Sequence, residues 1–377
     1  MPKYLRFDDV DVDGVDVLVR SDLNVPIENG EISDDFRIRA ALPTLERLVD
    51  SGARVTVCSH LGRPDGRDPE FSLQPVAVRM GELSSKEIGF ETGGQITVLE
   101  NTRFEPGETA NDPIYAASLA NGFGLFVQDA FGSVHRAHAS TVGVAELIKS
   151  VAGPLLDNEI TALTRVLEDP ELPYVVVLGG AKVSDKLGVI ENLLPKVDAM
   201  LIGGGMCFTL LKAKDIEVGT SLVEEDMVDA VRALLEGPEG AKIILPSDVI
   251  VADRFAEDAD HRQVYAKDIP ADWIGLDIGK ETAMLFQSVI RTAETVFWNG
   301  PMGVFEWEAF RAGTEAVARA IVDSGAFTTV GGGDSVAALR QLGLEDGVSH
   351  VSTGGGAGLE FLEGRNLPGV EVLGRWV

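Results

Sequence analysis

The sequence predicts an α/β protein of two domains, each built on a parallel sheet. Three observations carry this. The 377 residues exceed what one hydrophobic core usually sustains. Short apolar runs alternate with helical-period stretches, the pattern of βαβ units. Several runs also lack a polar face, as strands covered on both sides require.

In the N-terminal half the apolar runs fall at 15–19, 55–58, 96–99 and 125–127, with helical stretches at 36–49 and 113–120. Residues 155–167, LLDNEITALTRVL, read as an unbroken helix ending before Asp169-Pro170. That helix either joins the two sheets as a hinge or covers one of them. The C-terminal half repeats the scheme with YVVVLGG, AMLIGGG, KIILPSD, TVFWNGP, FTTVGGGD and HVSTGGG. The triple-glycine turns recur irregularly, so they are not a solenoid repeat.

Composition narrows the class. Hydrophobic residues make up 45% of the chain, enough for buried sheets, and glycine is abundant at 42 residues. Cys58 and Cys207 cannot build a disulfide framework, which points to a reducing, cytoplasmic setting. The opening MPKYLRFDDVDVDG carries acids where an export signal needs an apolar run, and no stretch is long and apolar enough to be read as a membrane span. A net charge of −28 opposes a nucleic-acid partner, because phosphate backbones need a basic footprint. With 11 Lys against 21 Arg, this acidic, lysine-poor composition fits a salt-rich solvent; an ordinary acidic enzyme is the plainer reading.

Ligands of open parallel sheets bind beyond the carboxyl ends of the strands, so the residues after each run matter most. In the N-terminal half these ends deliver charge: Arg20, Asp22 and Asn24 in RSDLNVP, Arg37 and Arg39 in DDFRIRA, and His60 and Arg63 in SHLGRP. Arg103 follows in ENTRF, then His135, Arg136 and His138 in DAFGSVHRAHAS. Any one Arg has a surface ion pair as its bland reading. Guanidinium groups at successive strand ends of an acidic protein instead predict a site for a small polyanion.

In the C-terminal half the ends deliver glycine: Gly179-Gly180, Gly203 to Gly205, Gly331 to Gly333 and Gly354 to Gly356. Glycine lets backbone N–H groups approach a phosphate, which helix N-termini also favour. Each turn alone is better read as structural. GGAKVSDK adds Lys182 and Lys186, which share a face if helical, and Asp334 is a hard oxygen ligand suited to Mg²⁺ beside phosphate. The sequence has no GxxxxGK[ST] loop, no GxGxxG within a strand–turn–helix unit, no protein-kinase signature and no zinc spacing.

Ten segments, in order and spacing, resemble the phosphoglycerate kinase family: VRSDLNVP, DDFRIRAALPT, SHLGRP, ENTRFEPGE, DAFGSVHRAHAST, LGGAKVSDKLGVIENLL, IGGGMCFTLLKAK, WNGPMGVFEWEAF, VGGGDSVAAL and STGGGAGLEFLEG. They span nearly the whole chain. The resemblance implies two Rossmann-like domains joined by a hinge helix, with the active site in the interdomain cleft. Residues 1–154 with 360–377 would bind phosphoglycerate, 155–168 would be the hinge, and 169–359 would bind the nucleotide. It implies a glycolytic and gluconeogenic enzyme, a cytoplasmic monomer, acting on 3-phosphoglycerate or 1,3-bisphosphoglycerate with ATP or ADP and Mg²⁺. Asp22, Asn24, Arg37, His60, Arg63, Arg103 and Arg136 would hold the phosphoglycerate. Gly180, Ala181, Lys182, Lys186, Gly204, Gly275, Asn299, Gly300, Pro301, Glu306, Gly333, Asp334 and Ser335 would hold the nucleotide, Glu306 taking the ribose and Asp334 the Mg²⁺. Arg37, Lys182 and the backbone of Gly332, Gly333, Gly355 and Gly356 are candidates for neutralising the moving phosphoryl group.

The chain departs from the family pattern in three places. Only ETGG separates the residues around 87–90 from those around 95–100, where the family carries a helix; this is too short for a parallel crossover. Either a unit has been lost or the sequence skips a segment. Ser21 and Leu23 replace valine and phenylalanine, an expected packing change. Gly358 replaces serine or alanine and would loosen a helix start. A dehydrogenase is a rival reading, opposed by the missing GxGxxG; a hinged anion-binding protein is another, opposed by the lack of an export signal.

Overall fold

The computed structural model describes residues 3–28 and 30–377; the first two residues of the acidic opening segment lie outside them. The chain divides into two compact units, Met1–Thr161 with Asn366–Val377, and Ala162–Arg365.

The first unit contains β1 (Asp16–Arg20), a hairpin of β2 (Ile27–Glu28) and β3 (Glu31–Ile32), α1 (Phe36–Asp50), β4 (Arg54–Cys58), α2 (Gln74–Leu83), β5 (Ile88–Phe90), β6 (Thr92–Gly94) and β7 (Ile96–Val98). It continues with α3 (Pro113–Ala120), β8 (Leu125–Gln128), α4 (Val144–Leu147) and β9 (Ser150–Ala152). The sheet order is β6-β5-β7-β4-β1-β8-β9, parallel except for β6. Val17, Val19, Val55, Val57, Ile96 and Val98 belong to one buried cluster with Ile38 and Leu45 of α1 and Val76 and Met80 of α2. On the alternate positions Leu18 and Phe126 are equally buried, so the central strands have no solvent face. The predicted helix is α5 (Pro154–Glu168), and the boundary between the units falls within it.

The expectation that ETGG is too short for a parallel crossover is corrected here. β5 and β7 are parallel neighbours, with Ile88 paired to Ile96. The chain achieves this by reversing twice: β6 runs back along the outer edge of β5, and the N–H groups of Gln95 and Ile96 then both donate to the Glu87 carbonyl, at 2.8 and 3.1 Å. Gly94 makes the return possible. Its φ is +74°, and a Cβ there would stand 2.5 Å from the Gly89 nitrogen.

The second unit contains β10 (Tyr174–Leu178), α6 (Leu187–Leu193), β11 (Ala199–Ile202), α7 (Met206–Ala213), α8 (Val228–Glu236), β12 (Ile243–Ile244), β13 (Asp248–Ala252), β14 (His261–Tyr265) and β15 (Ile274–Ile278). After these come α9 (Lys280–Ile290), β16 (Thr295–Asn299), α10 (Ala312–Asp323), β17 (Phe327–Gly331), α11 (Gly333–Gln341), β18 (His350–Val351) and α12 (Gly356–Leu362). All six predicted apolar runs enter one parallel sheet, ordered β12-β11-β10-β16-β17-β18. The antiparallel sheet β14-β13-β15 was not anticipated. β14 reads HRQVY and is mostly exposed, so it carries no alternating apolar signal.

Candidate functional site

In the first unit, β1 is the first strand of the chain and lies inside the sheet between β4 and β8, and the strand order reverses between β1 and β8. Such a switch point leaves a crevice beyond the carboxyl ends of the strands. Loops after β1, β4, β7 and β8 bring the cationic groups to it. Asp22 accepts both oxygens' worth of bonding from Arg37 Nη1, at 2.7 Å each. Asn24 Oδ1 accepts from the Gly62 N–H at 2.8 Å, tying the loop after β1 to the loop after β4. Buried Asn101 fastens the other side: its Nδ2 donates to the carbonyls of Leu61 and Phe71, and its Oδ1 accepts from the Leu61 and Arg103 N–H groups.

The electrostatics are those of an anion site. Burial pushes the Arg103 pKa down to about 10, assisted by the positive charges of Arg136, Arg20 and Arg63, with Glu108 opposing. Burial, then Arg20, Arg103, Arg37 and His138, hold the His60 pKa well below its ordinary value. Arg103 Nε is buried without a hydrogen-bond partner, although Nη1 donates to the Gly62 carbonyl. An unpaired buried guanidinium nitrogen within a cluster of like charges is costly unless an oxyanion completes it. Arg63 is exposed, and Arg136 is bonded to His135 Nε2 at 3.0 Å. Arg39 turns away to pair with Asp35 at 2.7 Å.

In the second unit the switch lies between β10 and β16, and the glycine turns converge there. Gly179 N–H donates to the Asn299 carbonyl at 3.0 Å and Gly180 N–H to the Pro301 carbonyl at 2.9 Å. Gly204 approaches so closely that a Cβ would stand 2.4 Å from the Gly180 nitrogen; its φ is +64°. Buried Lys186 crosses the switch, donating to the carbonyls of Gly179 and Asn299. Burial lowers its pKa to about 8, with Asp334 and Asp185 pulling the other way. Ser335 Oγ accepts from the Gly300 N–H at 2.5 Å, and Asn299 lies beneath Gly332.

Beside these turns is a cavity of ≈ 350 Å³. Gly180, Ala181, Gly204, Gly275, Pro301, Glu306 and Asp334 all line it, as do the apolar side chains of Phe208, Leu222, Phe255, Leu276 and Val304. Such a volume with an apolar wall and few polar groups suits a small ligand. At Gly275 a Cβ would meet the Phe208 ring at 2.0 Å, so the bare backbone there is what leaves room for that wall. Asp277, buried at the back, has its pKa raised to about 8 by burial despite N–H bonds from Gly313 and Ile278.

Six of the seven residues predicted for the anion lie on the segments that follow β1, β4, β7 and β8, and Arg37 lies in the first turn of α1. The charges of Arg37 and Arg103 act on His60, and those of Arg136 and Arg63 act on Arg103. The condition under which Lys182 and Lys186 would share a helix face is not met, because α6 begins only at Leu187. Lys182 is exposed on the loop, whereas Lys186 is drawn into the switch by two carbonyls. Gly355 and Gly356 are exposed at the start of α12, and a Cβ on either would meet open space. Sequence reasoning missed Asn101 and the apolar wall. It also missed Glu108, a fully buried carboxylate behind the cations; a lone acid in EPGE carries no local sign of burial. Among the described residues no group of three or more His, Cys, Asp or Glu is placed to hold a metal, and no helix is long and apolar enough to cross a membrane.

The phosphoglycerate kinase family model matches residues 7–365. The phosphoglycerate kinase of Rubrobacter xylanophilus is 55% identical over 380 residues, covering 97% of each chain, and that of Salinispora tropica is 55% identical over 386 residues, covering 96% of each. Alignment with the Frankia alni enzyme, at 52% identity over 97% of this chain and 98% of that one, extends over 396 residues. This exceeds the present 377, so that relative carries residues this chain lacks. Among solved structures, phosphoglycerate kinase from Coxiella burnetii superimposes with a TM-score of 0.91 at 42% identity, covering 99% of both chains. That from Pyrococcus horikoshii gives 0.85 at 32% identity, covering 98% of both.

Proposed function

The chain belongs to the phosphoglycerate kinase family, and from that premise we propose that it transfers a phosphoryl group reversibly between 1,3-bisphosphoglycerate and ADP, giving 3-phosphoglycerate and ATP. The observation that carries this reading is the division of labour. One unit bears a cationic cluster with an unpaired buried guanidinium nitrogen, and the other bears glycine turns above an apolar cavity.

In the ATP-consuming direction the acceptor is a carboxylate, ionised at neutral pH, with no proton to remove. No general base is then required, and catalysis rests on in-line alignment and charge neutralisation. We assign the phosphoglycerate to Asp22, Asn24, Arg37, His60, Arg63, Arg103 and Arg136. The nucleotide is assigned to the cavity and the turns around Lys186, with Glu306 at its rim. Arg37, Lys182 and the N–H groups of Gly332, Gly333, Gly355 and Gly356 neutralise the phosphoryl oxygens.

Asp334 is exposed, lines the cavity and opens α11. A single carboxylate beside phosphate is how nucleotide-bound Mg²⁺ is commonly held, so the residues fit that ion without a protein cage. When bound, Mg²⁺ would supply positive charge against the nucleotide phosphates.

A coupled assay tests the reading: 3-phosphoglycerate and Mg-ATP are mixed with the protein, and the acyl phosphate is reduced at the expense of NADH. Oxidation of NADH that requires both substrates is expected. No turnover by folded protein in either direction would overturn the assignment.

A further inference from the structure

We infer that Glu108, Ser140 and Arg20 form a positioning relay that holds His60 as a neutral imidazole with its proton on Nε2, so that the anion site presents one fixed, uncharged donor among its guanidinium groups. The inference rests on the reading that this cluster takes phosphoglycerate, and deepens it by giving roles to residues behind the cluster.

The tautomer follows from hydrogen-bond chemistry. Arg20 Nη2 lies 2.9 Å from His60 Nδ1. A guanidinium has donors only, so Nδ1 must accept, and the neutral ring then carries its proton on Nε2. Arg20 is 1% exposed, and its other bonds go to the Ser21 carbonyl, Ser59 Oγ and Ser140 Oγ, all uncharged. A buried cation needs a counter-charge nearby. Ser140 provides the link: its Oγ accepts from Arg20 Nε at 2.9 Å and donates to Glu108 Oε1 at 2.6 Å, while its N–H donates to Oε2 at 3.0 Å.

The surrounding charges reinforce the arrangement. Around His60 stand Arg20, Arg103, Arg37 and His138, all of which disfavour a protonated ring, in addition to burial. Burial alone would raise the Glu108 pKa, but His138, Arg20 and both Ser140 bonds hold it low, so it remains a carboxylate. His138 Nδ1 lies 3.7 Å from Glu108 Oε1, and the Tyr115 hydroxyl, the Cys58 thiol and Arg103 also feel the Glu108 charge. An imidazolium among those guanidinium groups would repel them. A neutral Nε2–H instead donates to an oxyanion without changing charge near neutral pH.

The test uses the full chain labelled with ¹⁵N, recording imidazole nitrogen spectra with His60 assigned by His60→Gln. Wild-type protein should show the Nε2–H pattern, unchanged from about pH 5.5 to about pH 8. Ser140→Ala removes the bridging hydroxyl without altering charge. It should release His60 into mixed tautomers and raise KM for 3-phosphoglycerate about tenfold, leaving KM for Mg-ATP within about twofold. Glu108→Gln keeps the hydroxyl against a neutral acceptor and should give a smaller rise. The double variant should be no worse than Ser140→Ala alone, since both cut one chain.

A His60 ring that titrates within that range, an Nδ1–H pattern, or losses that multiply in the double variant would overturn the relay. The wild-type spectrum decides the tautomer even where a variant fails to fold. If 3-phosphoglycerate leaves the His60 signals unmoved while the tautomer holds, the relay stands and the substrate assignment fails.

Discussion

Asp129 shows how one buried carboxyl ties the end of a strand to a distant helix. It follows β8, is 2% exposed, and its Oδ1 accepts from the N–H groups of Leu155 and Leu156 at 2.8 and 3.3 Å, capping α5 from another element. Burial raises its pKa from 3.8 to about 6, against the bonds from Thr44 and the two α5 N–H groups. A carboxyl whose folded pKa lies above its unfolded value stabilises the fold most below about pH 4, and that contribution is lost as pH rises through about 6. A shift of two units corresponds to about 3 kcal/mol. Asp129→Asn keeps the acceptor and removes the ionisation. Its unfolding free energy in urea should therefore fall less than that of wild type between pH 4 and pH 7, by up to about 3 kcal/mol. An unchanged pH slope would assign the titration to another group. Arg37 offers a kinetic prediction at the same scale. Its side chain is 34% exposed and held by Asp22. Arg37→Ala should lower kcat at least about 100-fold while nucleotide affinity stays within about threefold. Turnover equal to wild type would remove Arg37 from the groups that neutralise the phosphoryl oxygens.

Among the elements, the edge β5–β6–β7 departs most from an ordinary parallel crossover. A three-residue strand stands where a parallel connection ordinarily uses a helix, and it depends on left-handed backbone at Glu91, Gly93 and Gly94. The two glycines are unequal in their surroundings. A Cβ at Gly93 would meet nothing within 4 Å, whereas one at Gly94 would press on the Gly89 nitrogen at 2.5 Å. Gly93→Ala should therefore cost only the conformational penalty, about 1 kcal/mol, and Gly94→Ala at least about 2 kcal/mol more. Chemical denaturation of the two variants measures the difference. Equal losses would mean the edge relaxes freely, and the crossing at Glu87 would not depend on close packing.

For the whole molecule, 60 acidic residues stand against 32 basic ones, so even one-to-one pairing would leave a net charge of −28 to repel itself. Screening shortens that repulsion from about 10 Å at 0.1 M salt to about 3 Å at 1 M. The melting temperature should accordingly rise as KCl increases from low to molar concentration; a flat or falling trend would separate the acidity from salt adaptation. Phosphoryl transfer also imposes a global requirement. Acceptor and γ-phosphate must come within about 3–3.5 Å, yet their assigned residues belong to different units. We propose that α5, which contains the unit boundary, absorbs the required motion. Small-angle scattering should give a smaller radius of gyration with both substrates than with either one. Equal radii in all states would remove the hinge role from α5.

The sequence by itself determined the parallel sheets, because uninterrupted runs such as YVVVL and TVFWN leave no face for water. It also put Arg, His and Gly directly after those runs, at the carboxyl ends of the strands. Even α3 is legible to the residue, from Asp112 capping it and Pro113 opening it. What only the tertiary structure decided depends on contacts distant in the chain. Glu108 and Ser140, 32 residues apart, become a buried pair only when the loops after β7 and β8 pack together. The cavity wall is likewise drawn from Phe208, Leu222, Phe255 and Val304, on separate segments whose apolar character locally signals only a core. Lys182 and Lys186 differ for the same reason. Spacing makes them equivalent, and only the carbonyls converging at the β10–β16 switch draw one inside and leave the other in solvent.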